Sequence, residues 1–499
     1  MQMFDTQMVD YVGTVLSWMA TLFVVLLGIG VLLAILAFIS DLIQTKDAVR
    51  RNYPLIGRFR HLFSELGEFF RQYFFAMDRE EMPFNRAERE WVGRASKQSK
   101  NTIAFGSTKS LTPTGTPIFV NCPFPHLEED DIETPSFQIG PYSKHPYTAN
   151  SMVNISGMSY GALSRPAILA LSEGAKLANC WLNTGEGGLS PHHLKGGCDI
   201  VFQIGTAKYG VRTPDGELCD EKLREVAKNT AVKMFELKLA QGAKPGKGGI
   251  LPAAKVNEEI AKIRGIREGE ASISPNRHKD ISNVDELLSV IAHIKKVTGK
   301  PVGFKTVIGA YGWLDGLCEK IIENGLENAP DFIALDSGDG GTGAAPMALM
   351  DNVGLPIKEA LPMVVDVLVK HDLKKRIPLI ASGKLITPAE VAWAFCAGAD
   401  FVATARGAMF SLGCIQALKC NKNTCPTGIT THNPRFHHGL VPEEKSKRVA
   451  SYITNLVKEV DVISHSCGVY EPRQLKRFHV RLVQANGRSK SLDELYPHQ

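Results

Sequence analysis

The sequence predicts an α/β protein: a (β/α)8 barrel preceded by a transmembrane helix and an irregular α+β lead-in. Three observations carry this prediction. From Tyr11 to Ser40 there is no charged residue. Beyond Ser151, eight short apolar or β-branched runs alternate with longer helical patterns, which implies parallel pairing. Polar, glycine-rich motifs follow those runs, where a parallel barrel carries its active site.

The 499 residues are 44% apolar and 22% charged, enough for a sizeable core. The formal charge of +5 is mild and excludes the dense basic stripe of a nucleic-acid binder. Ten cysteines in so long a chain need no disulfide framework, so a reducing compartment is expected.

Residues 1–43 form the first segment. The run "MATLFVVLLGIGVLLAILAFI" meets the ~20 apolar residues a bilayer requires. A signal peptide would have a basic start and a shorter apolar core. Here Asp5 and Asp10 precede the span, and Lys46, Arg50, Arg51, Arg58 and Arg60 follow it against Asp47. That bias predicts a single-pass anchor in the cell membrane through residues 11–40, with the bulk of the chain cytoplasmic.

Residues 44–150 are a basic juxtamembrane segment and lead-in. In "RRNYPLIGRFRHLFSELGEFFRQYFF", Phe and Leu recur at helical spacing, predicting an amphipathic helix against the membrane surface or the following domain. Pro, Gly and Thr clusters over 101–150 predict irregular chain with a few short strands. The barrel occupies 151–440, and 441–499 reads as a helical tail. The eight predicted strands are 152–156, 181–185, 200–204, 234–239, 302–307, 332–338, 378–383 and 401–406. Segment 205–232 carries only a short helix, so an open doubly wound sheet is the competing architecture.

The motifs fall at the predicted strand ends. "GMSYGALS" (157–164) and "NTGEGGLSPHH" (183–193) let backbone approach a flat ligand closely, with Glu186 set between two glycines. Lys238 and Lys305 lie within strands, where an unpaired ammonium is costly. They point to an anion or cofactor in the barrel mouth, or to pairing with buried carboxylates. "LKLAQGAKPGKGGILP" is one residue too short for a phosphate-binding P-loop, and Gly248 stands where Ser or Thr should follow Lys247. "DSGDGGTGAAP" matches G-x-G-x-x-G only out of context, but suits a nest of N–H groups around a phosphate. "ASGKL" and "TARGAM" follow the last two strands, the usual phosphate site of such barrels. Cys414, Cys420 and Cys425, with Pro426 next, resemble an iron–sulfur ligand run. Buried apolar thiols, or a zinc site completed by His432, are the alternatives.

Taken in order, "GMSYGALS", "NTGEGG", "AQGAKPGKGG", "GDGGTGA" and C-x5-C-x4-CPTG resemble the synthase domain of glutamate synthase over residues 100–440. The whole chain, anchor included, is similar to the short FMN-binding glutamate synthase family. The resemblance implies FMN, a [3Fe-4S] cluster, and reductive amination of 2-oxoglutarate with ammonia to glutamate. It places Met158, Ser159 and Tyr160 along the flavin and Lys305 near its electron-rich edge. It gives the phosphate to Gly340, Gly341, Gly343, Ser382, Gly383, Ala405 and Arg406. Glu186 would handle ammonia or the imine proton, Lys238 and Gln241 the substrate carboxylates, and Cys414, Cys420 and Cys425 the cluster.

Four departures bear on the substrate. A membrane helix stands in place of an N-terminal glutaminase domain, so ammonia, or another amine, must come from elsewhere. Lys247 replaces a usual Glu. "SPNRHKD" (274–280) changes the stretch at Asn276, Arg277 and Lys279. Gly338 replaces a His beside the flavin. The same machinery acting on another amine or N-substituted amino acid is therefore a second expectation. A non-catalytic flavin sensor or scaffold is a third. No nicotinamide domain is visible, which points to an electron-donor protein such as ferredoxin, or to a membrane quinone.

Overall fold

Eight parallel strands close into a barrel, each pairing with the next and the last with the first. They are β1 (Val153–Ile155), β2 (Leu182–Asn183), β3 (Ile200–Ile204), β4 (Val232–Lys238), β5 (Val302–Val307), β6 (Ile333–Asp336), β7 (Leu379–Ser382) and β8 (Phe401–Thr404). All eight lie on the predicted runs, and the open sheet is ruled out by the β8–β1 register, Val402 opposite Val153. This computed structural model describes residues 2–44, 48–98, 102–127, 134–310 and 312–497, without the side chains of 2–9, 48, 60, 61, 64, 68, 71 and 72. Lys46 and Asp47, and the side chains of Asp5 and Arg60, therefore lie outside the described residues.

The strands are buried on both faces, as continuous apolar runs in a parallel sheet require. One end of the barrel is plugged. A hairpin of Phe137–Ile139 and Tyr147–Ala149 packs on Trp181, Val201, Met234, Phe332 and Phe401, all near strand N-termini. The opposite, C-terminal end is left for the site.

Helix α3 (Arg165–Leu177) is started by Ser164, whose side chain accepts the Ala167 N–H. It lies along the long C-terminal helix α6 (Pro442–Ser466). Gly174 allows that contact: a Cβ there would meet Val449 Cβ at 2.7 Å. The weakly patterned segment 205–232 does hold a helix, Asp220–Lys228.

The tail is more than helical. Val480–Val483 pairs antiparallel with both Ser489–Ser491 and the lead-in strand Pro117–Phe119. Val480 and Val483 are buried while Arg481 and Leu482 are partly exposed, a pattern too short to separate from loop by sequence. The chain divides into two compact units, 1–86 and 87–499, so the break falls inside the segment expected to run from 44 to 150.

In the first unit, α1 (Gln2–Ile43) is the one helix among the described residues long and apolar enough to cross a membrane, over Asp10–Ile43. That test is of length and composition only. At its end, buried Asp41 is clamped by Arg50 at 2.5 Å and Arg58 at 2.7 Å. Helix α2 (Ile56–Phe70) is the expected amphipathic one, with Phe59, Phe63 and Phe70 exposed.

Candidate active site

The C-terminal mouth of the barrel begins with two lysines side by side. Lys238 and Lys305 occupy paired positions on β4 and β5, so their side chains share a face. Two adjacent buried cations require countercharges, and each has one. Lys238 Nζ lies 2.9 Å from Glu186 Oε1, and Lys305 Nζ lies 3.3 Å from Asp336 Oδ2. Pairing with buried carboxylates, the plainer of the two expectations for these lysines, is thus the observed geometry. Both lysines nevertheless line the cavities of the mouth.

Asp336 is further held by the Gly242 N–H at 3.0 Å and the Ser382 hydroxyl at 2.8 Å. Burial works to raise its pKa, but Lys305 and these donors hold it below the usual carboxylate range. Burial would depress the Lys305 ammonium, yet Asp336 and Glu236 raise it above its ordinary value. Glu236, on β4 beneath, accepts from Asn183 at 2.9 Å and Gln203 at 2.6 Å. For Glu186, burial is outweighed by Lys238, Lys244 and Arg264, which keep it ionised. Gly205 and Gly249 make room for it, since a Cβ at either would meet its side chain within 2.6 Å.

Two adjoining cavities open here. The larger, about 970 Å³ counted to its open mouth, runs from Met158 and Ser159 past Glu186 and Lys244 to Cys420. The smaller, about 520 Å³, reaches Lys305, Gly383, Ala405 and Arg406. Their size suits a cofactor with a small substrate. Gln241 lines both, with Nε2 donating to Gly341 O at 3.1 Å. Gly341 and Gly343 line the larger cavity, and Ser382 the smaller. Gly340 sits in the turn that precedes them, its N–H donating to Ser337 O.

Two expected residues also have partners within the protein. Tyr160 does not line the larger cavity: its hydroxyl donates to Glu259 and its ring packs on His192 and His432. Arg406 does line it, but its guanidinium donates to the Thr342 carbonyl and lies 3.9 Å from Cys420 Sγ.

Sequence reasoning missed four groups. Lys244 is buried and pushed down to about 8 by burial. Arg264, also buried, reaches Ser159 and the Tyr160 carbonyl. Lys255, 2% exposed, donates to the Ala162 and Cys420 carbonyls. His278 sets Nε2 2.9 Å from Lys238 O. Lys244 stood within a quoted motif. Arg264 and Lys255 sit in and before a short helix, α4 (Glu258–Arg264), where charge normally means solvent.

The altered positions lie outside the cavity lining, although Ser274 at the start of the stretch belongs to it. Arg277 is spent on the carbonyls of His278 and Ile281, and neither it nor Asn276, Lys279 or Lys247 lines the larger cavity. At Gly338 a Cβ would meet Gly354 O at 2.1 Å, so the chain has no room for the histidine.

Of the three cysteines, Cys425 is buried beside the Thr427 hydroxyl at 3.3 Å, and Cys414 and Cys420 are partly exposed. Burial raises the Cys414 thiol; hydrogen bonds from Thr427 and Thr430 outweigh burial and lower that of Cys425. Among the described residues no three such ligands are grouped to hold a single metal ion. His432 sets Nε2 2.8 Å from the Gly161 carbonyl, so that ring is already engaged.

Residues 120–470 match the conserved region of glutamate synthase. The chain belongs to the glutamate synthase family. A glutamate synthase large subunit-like protein of Bacillus subtilis is 38% identical over 94% of this chain and 96% of its own length. The archaeal glutamate synthase (NADPH) of Methanocaldococcus jannaschii is 34% identical over 69% of this chain, which spans only 64% of that relative. Among solved structures, a mandelate oxidase covers 74% of the chain at 14% identity with a TM-score of 0.46, too distant to inform the chemistry. As a family member the chain is a glutamate synthase-like oxidoreductase.

Proposed function

We propose that this protein is a membrane-anchored glutamate synthase that reductively aminates 2-oxoglutarate with ammonia. The carrying observation is one cavity that holds a carboxylate, Glu186, against Lys238, Lys244 and Arg264, with Cys420 at its rim.

The donor set fits FMN. Gly157 and Gly341 line both cavities, and Gly343 lines the larger with nothing within 4 Å of where a Cβ would stand. Such cradles suit a flat ring and a phosphate. Met158 and Ser159 would line the ring. Gly340, Gly341, Gly343, Ser382, Gly383 and Ala405 would hold the phosphate, with Arg406 nearby. FMN, when bound, supplies the hydride. Lys305 would set a positive charge near the electron-rich edge of the ring, where reduction adds negative charge.

Three cations around one carboxylate favour a dianionic substrate. Lys238, Gln241, Lys244 and Arg264 bind and orient the two carboxylates of 2-oxoglutarate. Glu186, held ionised, takes a proton from ammonia as water leaves the carbonyl carbon and returns it to the new amine. The balance is 2-oxoglutarate, ammonia, two electrons and two protons to glutamate and water. Because positions 247, 276, 277 and 279 do not line the cavity, their changes give no ground for preferring another amine.

Three thiols within one loop, with Cys420 on the cavity wall, suit three separate irons, and we assign Cys414, Cys420 and Cys425 to a [3Fe-4S] cluster relaying electrons. The apolar helix and the basic residues after it support an anchor through residues 11–40 with the barrel cytoplasmic. A donor protein at that membrane would supply the electrons.

The test is an anaerobic spectrum of detergent-solubilised protein, reduced chemically and then given 2-oxoglutarate and ammonia. Return of the flavin band with glutamate formed is the expected result. Flavin and iron that stay reduced would overturn the substrate, and absence of both would overturn the site.

A further inference from the structure

The cysteine loop is fastened to the flavin side of the cavity by residues outside it. Ser164 N–H donates to Ile429 O at 2.8 Å, and Asn423 Nδ2 donates to Ala254 O at 2.9 Å. Between these ties sits Lys255. Its ammonium donates to Cys420 O at 2.7 Å and to Ala162 O at 3.0 Å, joining the cysteine loop to the loop after β1.

Among the described residues no carboxylate pairs with Lys255, although it is 2% exposed. Of the other buried lysines of the mouth, 238 and 305 each have one, and Lys244 lies near Glu186. A buried ammonium without a countercharge is strongly unfavourable. The nearby groups that can carry negative charge are the sulfurs of Cys420 and Cys425.

We propose that Lys255 is a positioning residue of the electron relay: it ties the cysteine loop to the loop after β1 and sets a buried ammonium, unpaired with any carboxylate among the described residues, beside the sulfur ligands of the iron–sulfur cluster. This rests on the cluster assignment above. Reduction adds one negative charge to the cluster, so a buried cation beside it raises the potential. The protein's own contribution is geometric, one side chain tied to both loops at once.

The test is a redox titration of the full-length, detergent-solubilised holoprotein followed by electron paramagnetic resonance. Wild type is compared with Lys255→Met, Lys255→Arg and Asn423→Ala. Lys255→Met is expected to lower the cluster's reduced-to-oxidised ratio at fixed poise on the order of tenfold, ~59 mV for one electron. Lys255→Arg keeps the charge and the wild-type potential. Asn423→Ala loosens the loop without removing charge and leaves the potential in place. An unchanged potential in Lys255→Met overturns the proposal, as does an equal drop in Asn423→Ala. If Lys255→Met loses its iron, Lys255→Arg decides: a held potential supports the role and a tenfold drop overturns it. Wild type without iron would instead overturn the cluster assignment, and the proposal with it.

Discussion

Lys305→Met removes one partner of a buried pair and leaves Asp336 ionised without a cation. At 3.3 Å and an effective dielectric of about 20, the lost attraction is about 5 kcal/mol. Breaking buried pairs from one side costs about 3–5 kcal/mol, so the two figures agree. Two donors remain on Asp336, the Gly242 N–H and the Ser382 hydroxyl, which place the outcome near the lower figure. The sign with pH follows. In the wild type Asp336 has a depressed pKa, so its contribution is present above the ordinary carboxylate range and fades as pH falls through the folded value. Without Lys305 that pKa rises. The variant's deficit is then full at pH ~7.5 and shrinks toward pH ~5 as the acid neutralises in place. Urea unfolding of the solubilised protein at both pH values measures it. Adding Asp336→Asn to Lys305→Met should restore most of the loss, the coupling a double-mutant cycle reads. A deficit under about 1 kcal/mol, one equal at both pH values, or no rescue by the double variant would refute the pairing argument. Flavin content of the same samples separates the roles: turnover lost with flavin retained marks Lys305 as serving the chemistry.

Three further outcomes are expected. Glu186→Gln keeps flavin and iron but slows reoxidation of the reduced protein by 2-oxoglutarate and ammonia by roughly 10²–10⁴-fold, read by stopped flow. Because burial pushes Lys244 down to about 8, KM for 2-oxoglutarate should rise as pH climbs through that value, and Lys244→Arg should move the rise upward; a KM flat from pH ~7 to ~9 argues against contact with a carboxylate. Gly338→His drives a side chain into Gly354 O and should lower Tm and flavin content together, checked by thermal unfolding and absorbance; a variant of unchanged Tm would show that the 353–355 segment yields easily.

The barrel was legible because each strand is an apolar run bounded by glycine and polar residues, and a parallel strand buried on both faces leaves that mark. The same mark failed for Val480–Val483, a short strand buried only at its two end residues. The loop motifs were legible by position, since chemistry in such barrels collects at strand ends. Arg264 and Lys255 were not. A charged residue in or before a helix is ordinarily solvated, and only the closure of the barrel mouth over α4 buries these two. The partner of the Tyr160 hydroxyl, Glu259, was not legible either, since it lies nearly a hundred residues on.

Two of the four departures from the family pattern are explained once their surroundings are known. Asn276, Arg277 and Lys279 change side chains that do not line the larger cavity, and the retained His278 keeps the strap on the Lys238 carbonyl. The Gly338 change comes with a compensating contact, Gly338 N–H donating to Leu355 O at 2.8 Å, so backbone fills the space a histidine would take. What remains at the cavity wall is the cation set around Glu186. A substrate with one carboxylate would leave part of that positive charge unpaired in a buried cleft, which penalises it relative to a dicarboxylate. On the function proposed, preference for a dicarboxylate follows from charge count around Glu186 rather than from the loop whose sequence differs.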